Sequence, residues 1–121
     1  MFKDSIRAVV EGADGAVAGI LMDFEGIAVD SYAREGAMVD IDINAVGAEY
    51  SVIIKSIQRA AESLEAGGAT EVAIQSQKAT TLIRILNAEY FLALAMTPEG
   101  NFGKGRFLMR TAAPKLLEHL G

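Results

Sequence analysis

The sequence contains no cysteine, one histidine and two prolines. The absence of cysteine excludes disulfides, zinc thiolate sites and thiol nucleophiles. A single histidine, His119, excludes a His-rich metal site. Positive charge is also scarce: 11 Lys+Arg stand against 16 Asp+Glu, for a formal net charge of -5. A sequence-independent nucleic-acid binder needs a basic face to displace counterions, so no nucleic-acid partner is expected, and electrostatic docking on anionic lipid is disfavoured on the same ground. Every apolar run is interrupted well before the ~20 residues of a spanning helix, so membrane insertion is not expected either. The N-terminal Met1-Phe2-Lys3-Asp4-Ser5 carries an acid and leads into no signal-peptide core, which predicts a cytoplasmic chain. What is present is globular: 121 residues and 51% hydrophobic, with mean hydropathy +0.28. This length suits one domain spanning 1–121, able to bury roughly two-thirds of its unfolded surface.

Periodicity divides the chain into eight elements. Phe2, Ile6, Val9 and Val10 recur at helical spacing, and Gly12 with Ala13-Asp14-Gly15 ends that helix. Ala16 to Met22 is apolar without alternation, as in a strand covered on both faces. A turn at Asp23-Phe24-Glu25-Gly26 leads into a second strand over Ile27 to Tyr32. The longest periodic segment, about Asp42 to Glu65, places Val46, Tyr50, Ile53, Ile54, Ile57, Ala61 and Leu64 on one side of a helix. Asp42 or Asn44 suits its cap, and Gly67-Gly68 its stop. On this reading Ile57 lies in the core, where Asp would unfold the chain. Strands over Glu71 to Ser76, Thr80 to Leu86 and Tyr90 to Met96 form a meander, the last one central. A final helix from Phe102 to His119, with Asn101 as cap, contains Pro114, which should kink it. The order helix, two strands, helix, three strands, helix is α+β with an antiparallel sheet and helices on both faces.

Few constellations carry chemistry. Gly12-Ala13-Asp14-Gly15 precedes a strand and lacks the third glycine of a dinucleotide fingerprint; Gly103-Lys104-Gly105 lacks both the upstream glycine and the hydroxyl of a phosphate loop. Turns and a helix start account for both. His119 has no nucleophile or acid placed with it by any motif and suits a helix C-terminus. Asp23 with Glu25, and Asp40 with Asp42, lack the dense oxygen spacing of a calcium loop and serve better as turn and cap residues. Arg34, Arg59, Arg84, Arg106 and Arg110 raise the question of an arginine inserted against a partner's transferring phosphate, but their spacing singles none out. No catalytic residue, cofactor or metal is expected.

The informative feature lies opposite the apolar side of the long helix. Ala45, Ala48, Val52, Ser56, Arg59 and Ser63 form a strip of mostly small residues where a solvated face would carry more Lys and Glu. Small residues let another backbone approach closely. The half-polar third strand, with Val72, Ile74 and Ser76, adds a second candidate contact if it is an edge, because edge strands offer unpaired backbone groups to another copy. An ordinary solvated helix face is the alternative.

Two stretches resemble the Roadblock family, the group that includes bacterial MglB-like proteins. They are VEGADGAVAGILMDFEGIAVDSY, from Val10 to Tyr32, and TPEGNFGKGRFLMRTAAPKL, from Thr97 to Leu116. In the latter, after a turn, Asn101, Phe102, Gly103, Arg106 and Arg110 occupy the places of an Asn or Ser, an apolar residue, a Gly and a basic-apolar helix. The resemblance implies a five-stranded antiparallel sheet with the middle helix on one face and the terminal helices on the other. It further implies a homodimer in which third strands pair edge to edge and middle helices pack together. It implies a non-enzymatic platform for a small Ras-like GTPase that remodels the partner's own switch residues without an arginine finger. Two other readings stay open: an adaptor without effect on GTP hydrolysis, and a small-molecule sensor.

Overall fold

A computed structural model describes residues 2–36 and 41–120. Helix α1 (Phe2–Gly12) is followed by strands β1 (Ala16–Asp23) and β2 (Ala28–Ala33), helix α2 (Ile43–Ser63), strands β3 (Glu71–Gln75), β4 (Thr80–Ile85) and β5 (Tyr90–Met96), and helix α3 (Phe102–Leu120). The strands form one antiparallel sheet in the order β2-β1-β5-β4-β3. This is the α+β architecture and element order expected from the sequence, with β5 at the centre.

The two apolar strands β1 and β5 pair with each other and are buried almost throughout. Their alternate residues feed two cores. Leu21, Leu92, Leu94 and Met96 face α1 and α3, where Ile6, Val9, Val10, Met109 and Leu116 complete one cluster. Ala18, Ile20, Met22, Phe91 and Ala93 face α2, where Ile43 and Ile54 complete the other. A register shift between Ala16 and Ala18 places both Val17 and Ala18 on the α2 side, as a bulge does by adding one residue to the pleat.

Three connections explain how the helices are seated. Gly15 has φ +89°, and a Cβ there would lie 2.4 Å from the Gly100 Cα. That contact joins the α1–β1 turn to the β5–α3 turn, and two backbone bonds close it, Thr97 N–H to Gly15 O (2.8 Å) and Asn101 N–H to Asp14 O (2.8 Å). Asn101 also caps α3 through its Oδ1, which accepts from the Lys104 N–H at 3.0 Å. At this same C-terminal end of α1 the guanidinium of Arg34 donates to the Val10 carbonyl, one of the carbonyls a helix C-terminus leaves unpaired. The first and last helices meet at their outer ends, where the Phe2 and His119 rings stand edge to face with centroids 6.0 Å apart.

Helix α2 departs from the sequence reading. Its buried line is Ile43, Gly47, Ser51 and Ile54, whereas Val46, Tyr50, Ile57 and Ala61 are half-buried and Ile53 and Leu64 are exposed. The helix is rolled toward its small residues because they allow close approach: a Cβ on Gly47 would sit 2.9 Å from the Met22 side chain. The Ser51 hydroxyl is satisfied by the Ala48 carbonyl at 2.7 Å. Ile57 packs against this core but is only half-buried, and Ile54, on the same expected side, is the fully buried residue. Asp42 is the cap, accepting from the Asn44 and Ala45 N–H groups. The stop also differs. Glu65 takes the left-handed conformation at φ 58° right after the C-cap Leu64, ahead of Gly67 at φ 78°, and the bonds Glu65 N–H to Glu62 O and Ala66 N–H to Ala61 O close a Schellman motif around Glu65. Helix α3 runs from Phe102 to Leu120 with Pro114, exposed, inside it.

Two stability changes follow. Glu65→Gly should raise stability by about 1 kcal/mol, because glycine takes the left-handed conformation without the Cβ penalty. Ile54→Asp should abolish the cooperative urea transition while Ile53→Asp leaves it nearly intact.

Candidate interaction surface

The α2 strip lies directly opposite the buried line. Ala45, Ala48, Val52, Ser56, Arg59 and Ser63 are all exposed, and Val52 is 66% accessible. Ile53 borders the strip at 49%. Both are β-branched aliphatic side chains left largely in solvent. Helix α2 packs over β1 and β2. Val72 and Ile74 of β3 share its side of the sheet and are only half-buried. Strand β3 is an edge, without a strand partner on its outer side. Ser76 lies just past the strand, where its N–H bonds to the Ala79 carbonyl in the β3–β4 turn, so it belongs to the turn and not to the ladder. The structure thus places eight of the nine candidate residues on the α2 face or on β3, and the ninth at the end of β3.

Other candidates resolve into structural roles. Asp23 Oδ1 accepts from the Glu25 and Ile27 N–H groups, both at 2.9 Å, which makes it the organiser of the β1–β2 turn. Glu25 reaches Lys55 of α2 at 3.1 Å. Between them opens a groove of about 400 Å³ bordered by Phe24, Lys55, Arg59 and Glu62. Asp42 is a cap; Asp40 lies outside the described residues. Among the described residues no three His, Asp or Glu side chains are grouped to hold a metal ion, and no helix is long and apolar enough to cross a membrane.

Sequence reasoning missed one cluster on the opposite face. The Arg106 guanidinium of α3 is ion-paired with Glu71 of β3. Arg84 of β4 stands directly opposite Glu71 in the antiparallel register. The hydrogen bond from Arg106, reinforced by the charges of Arg106, Arg84 and Arg110, holds the Glu71 carboxyl below its ordinary range. The pairing joins residues 35 apart in sequence, so no local spacing could have revealed it.

Scanned against family models and curated proteins, the sequence matches none. Solved structures do match. MglC from Myxococcus xanthus shares 38% identity over 93% of this chain and 92% of its own, with TM-score 0.66. An MglB with tetrameric arrangement superposes at TM-score 0.83 with 16% identity, over 93% of this chain and 82% of that one. A Roadblock/LC7 domain from Streptomyces avermitilis superposes at 0.84 with 12% identity, over 98% and 96%. The chain belongs to the Roadblock family. Its likeness to MglC extends to the sequence, whereas that to the other two is one of fold.

The Glu71–Arg106 pair makes a pH prediction. A carboxyl whose folded pKa is depressed stabilises the fold above its unfolded value, about 4.3, and that contribution is lost as pH falls through the lower folded value. Urea midpoints measured between about pH 5 and about pH 3 should therefore fall further for the wild type than for Glu71→Gln.

Proposed function

We propose that this protein is a non-enzymatic, homodimeric regulator of a small Ras-like GTPase, acting in the cytoplasm as a single Roadblock domain. The observation that carries this reading is the outward face of α2. Five small or mildly apolar positions and Arg59 line it, with Val52 and Ile53 largely in solvent. A helix that has already buried one side against the sheet gains nothing from apolar residues on the other unless something covers them. A second copy is the economical cover: small residues allow two α2 helices to approach, and the unpaired β3 edge can extend the sheet between protomers. An isologous pair of this kind brings two α2 helices together at one two-fold axis, and the partner GTPase would dock on the joint surface.

Regulation requires more than binding. A protein shifts the GTPase between states only by its differential affinity for them. The GTP-bound form should therefore bind more tightly than the GDP-bound form, and the effect on turnover would arise by holding the partner's own switch residues. The reading invokes no inserted arginine. Arg59 is the one arginine on the strip, and Arg106 is engaged with Glu71.

Val52→Arg and Ser56→Arg should each weaken self-association by about tenfold or more, about 1.4 kcal/mol, without shifting the urea transition. Light scattering over a micromolar dilution series reads the first effect. An unchanged dimer, or a monomeric wild type, removes the α2 strip from the proposal. Binding to candidate GTPases should favour the GTP state, and partner GTP turnover should change. Tight binding with unaltered turnover instead assigns the adaptor role.

A further inference from the structure

The α3 side of the sheet carries a charge distribution opposite to that of the whole chain. From Phe102 to Leu117, α3 contains Lys104, Arg106, Arg110 and Lys115 and no acid. Arg84 of β4 adds a fifth cation beside them. Glu71 is the acid in contact with this group. Three of these cations, Arg84, Arg106 and Arg110, act on the Glu71 carboxylate, while Lys104 and Lys115 lie on the opposite flank of α3. Between α3 and the β3 edge lies a groove of about 270 Å³ lined by Glu71, Gly103, Arg106 and Arg110. Gly103 leaves its wall open, since a Cβ there would meet only the Asn101 Oδ1 at 3.7 Å. One turn along α3 from Gly103, Phe107 is 51% exposed, with the Lys104 ammonium 5.7 Å from its ring centroid.

We propose that this groove binds a short carboxylate-rich peptide segment of a protein partner, with Arg106 and Arg110 as the principal contacts and Glu71 as an internal competitor. Arginine forks match carboxylates in pairs, and Arg106 already demonstrates the contact with Glu71. In the free protein Glu71 occupies the position that a ligand carboxylate would take. Arg110 and Arg84 lie close enough to act on the Glu71 charge without a hydrogen bond to it. Arg110 therefore has donors available, and an incoming carboxylate would engage it first. Phe107 supplies an apolar contact for the segment's neighbouring side chains.

Charge complementarity also fixes the size of the occupant. At physiological salt a charge is felt over roughly 8 Å, so a short segment lying in the groove meets the cations and little of the acidic remainder. A nucleic acid or an anionic bilayer is extended, and would meet that acidic remainder as well. The groove is lined by residues of one chain, so the proposal does not depend on the GTPase. It lies on the sheet face away from α2, and both surfaces can be occupied at once.

The test is fluorescence anisotropy of a labelled deca-glutamate peptide with the full-length protein at low salt. The peptide should bind, and its affinity should fall steeply as salt rises. Arg110→Glu should weaken binding by about tenfold or more, while Lys78→Glu, the same change of charge in the exposed β3–β4 turn, should alter it less than about twofold. Glu71→Gln removes the competitor and should tighten binding by about threefold or more. That variant keeps the test meaningful if Arg110→Glu is poorly folded. The proposal is overturned by an absence of peptide binding, by equal losses from Arg110→Glu and Lys78→Glu, or by a Glu71→Gln variant that binds no better than wild type. Capture by phosphatidylserine vesicles in place of the peptide overturns it in favour of a lipid surface.

Discussion

The pairing of β1 with β5 imposes the constraint on which everything else depends. Both strands are apolar on both faces, so the sheet they form must be covered on both sides or leave its centre wet. The chain has three helices for this. Two of them, α1 and α3, pack against each other and against one face. Among the described residues the other face has α2 alone. A single helix is about 10 Å wide and spans about two strands at 4.8 Å spacing, whereas this sheet has five. The imbalance determines where apolar surface is left over: Val72 and Ile74 at the β3 edge, half-covered, beside a helix whose outer side is itself not fully polar.

The two faces consequently offer different chemistry. The α2 face has exposed aliphatic side chains and small residues, which suit close packing against a surface of similar kind. The α3 face is cationic, with arginines held near a strand edge by one acid. Their separation to opposite sides of a sheet gives one small chain two kinds of contact that need not interfere. The fold also keeps them rigid. The α1–β1 and β5–α3 turns are joined through the Gly15–Gly100 contact and its two backbone bonds, so α3 cannot shift without disturbing the start of β1.

Much of this was legible in the sequence, and the exceptions have physical causes. The eight elements and the central position of β5 followed from hydrophobic periodicity and turn residues, because β1, β5 and the meander carry clear strand patterns. The outward strip of α2 was legible because Ala45, Ala48, Val52 and Ser56 depart from what a solvated helix face requires. The inner face of α2 was misjudged because hydropathy weights large side chains. Ile53 and Leu64 drew the core line toward themselves, while the contact is made where Gly47 and Ser51 let the helix settle on Met22. The end of α2 was misplaced because glycine is the usual left-handed residue, and Glu65 takes that conformation two positions before Gly67. The Glu71–Arg84–Arg106–Arg110 group was invisible, since it is assembled by strand register and helix docking across long separations.

The edge-to-face contact of the Phe2 and His119 rings has a practical consequence. It fixes both ends of the described chain at one corner, on the side of the sheet away from α2. A fluorescent reporter or neighbouring module joined beyond either end starts from that corner, on the sheet face opposite α2. Labels can therefore be attached at either terminus while the α2 surface stays open to solvent.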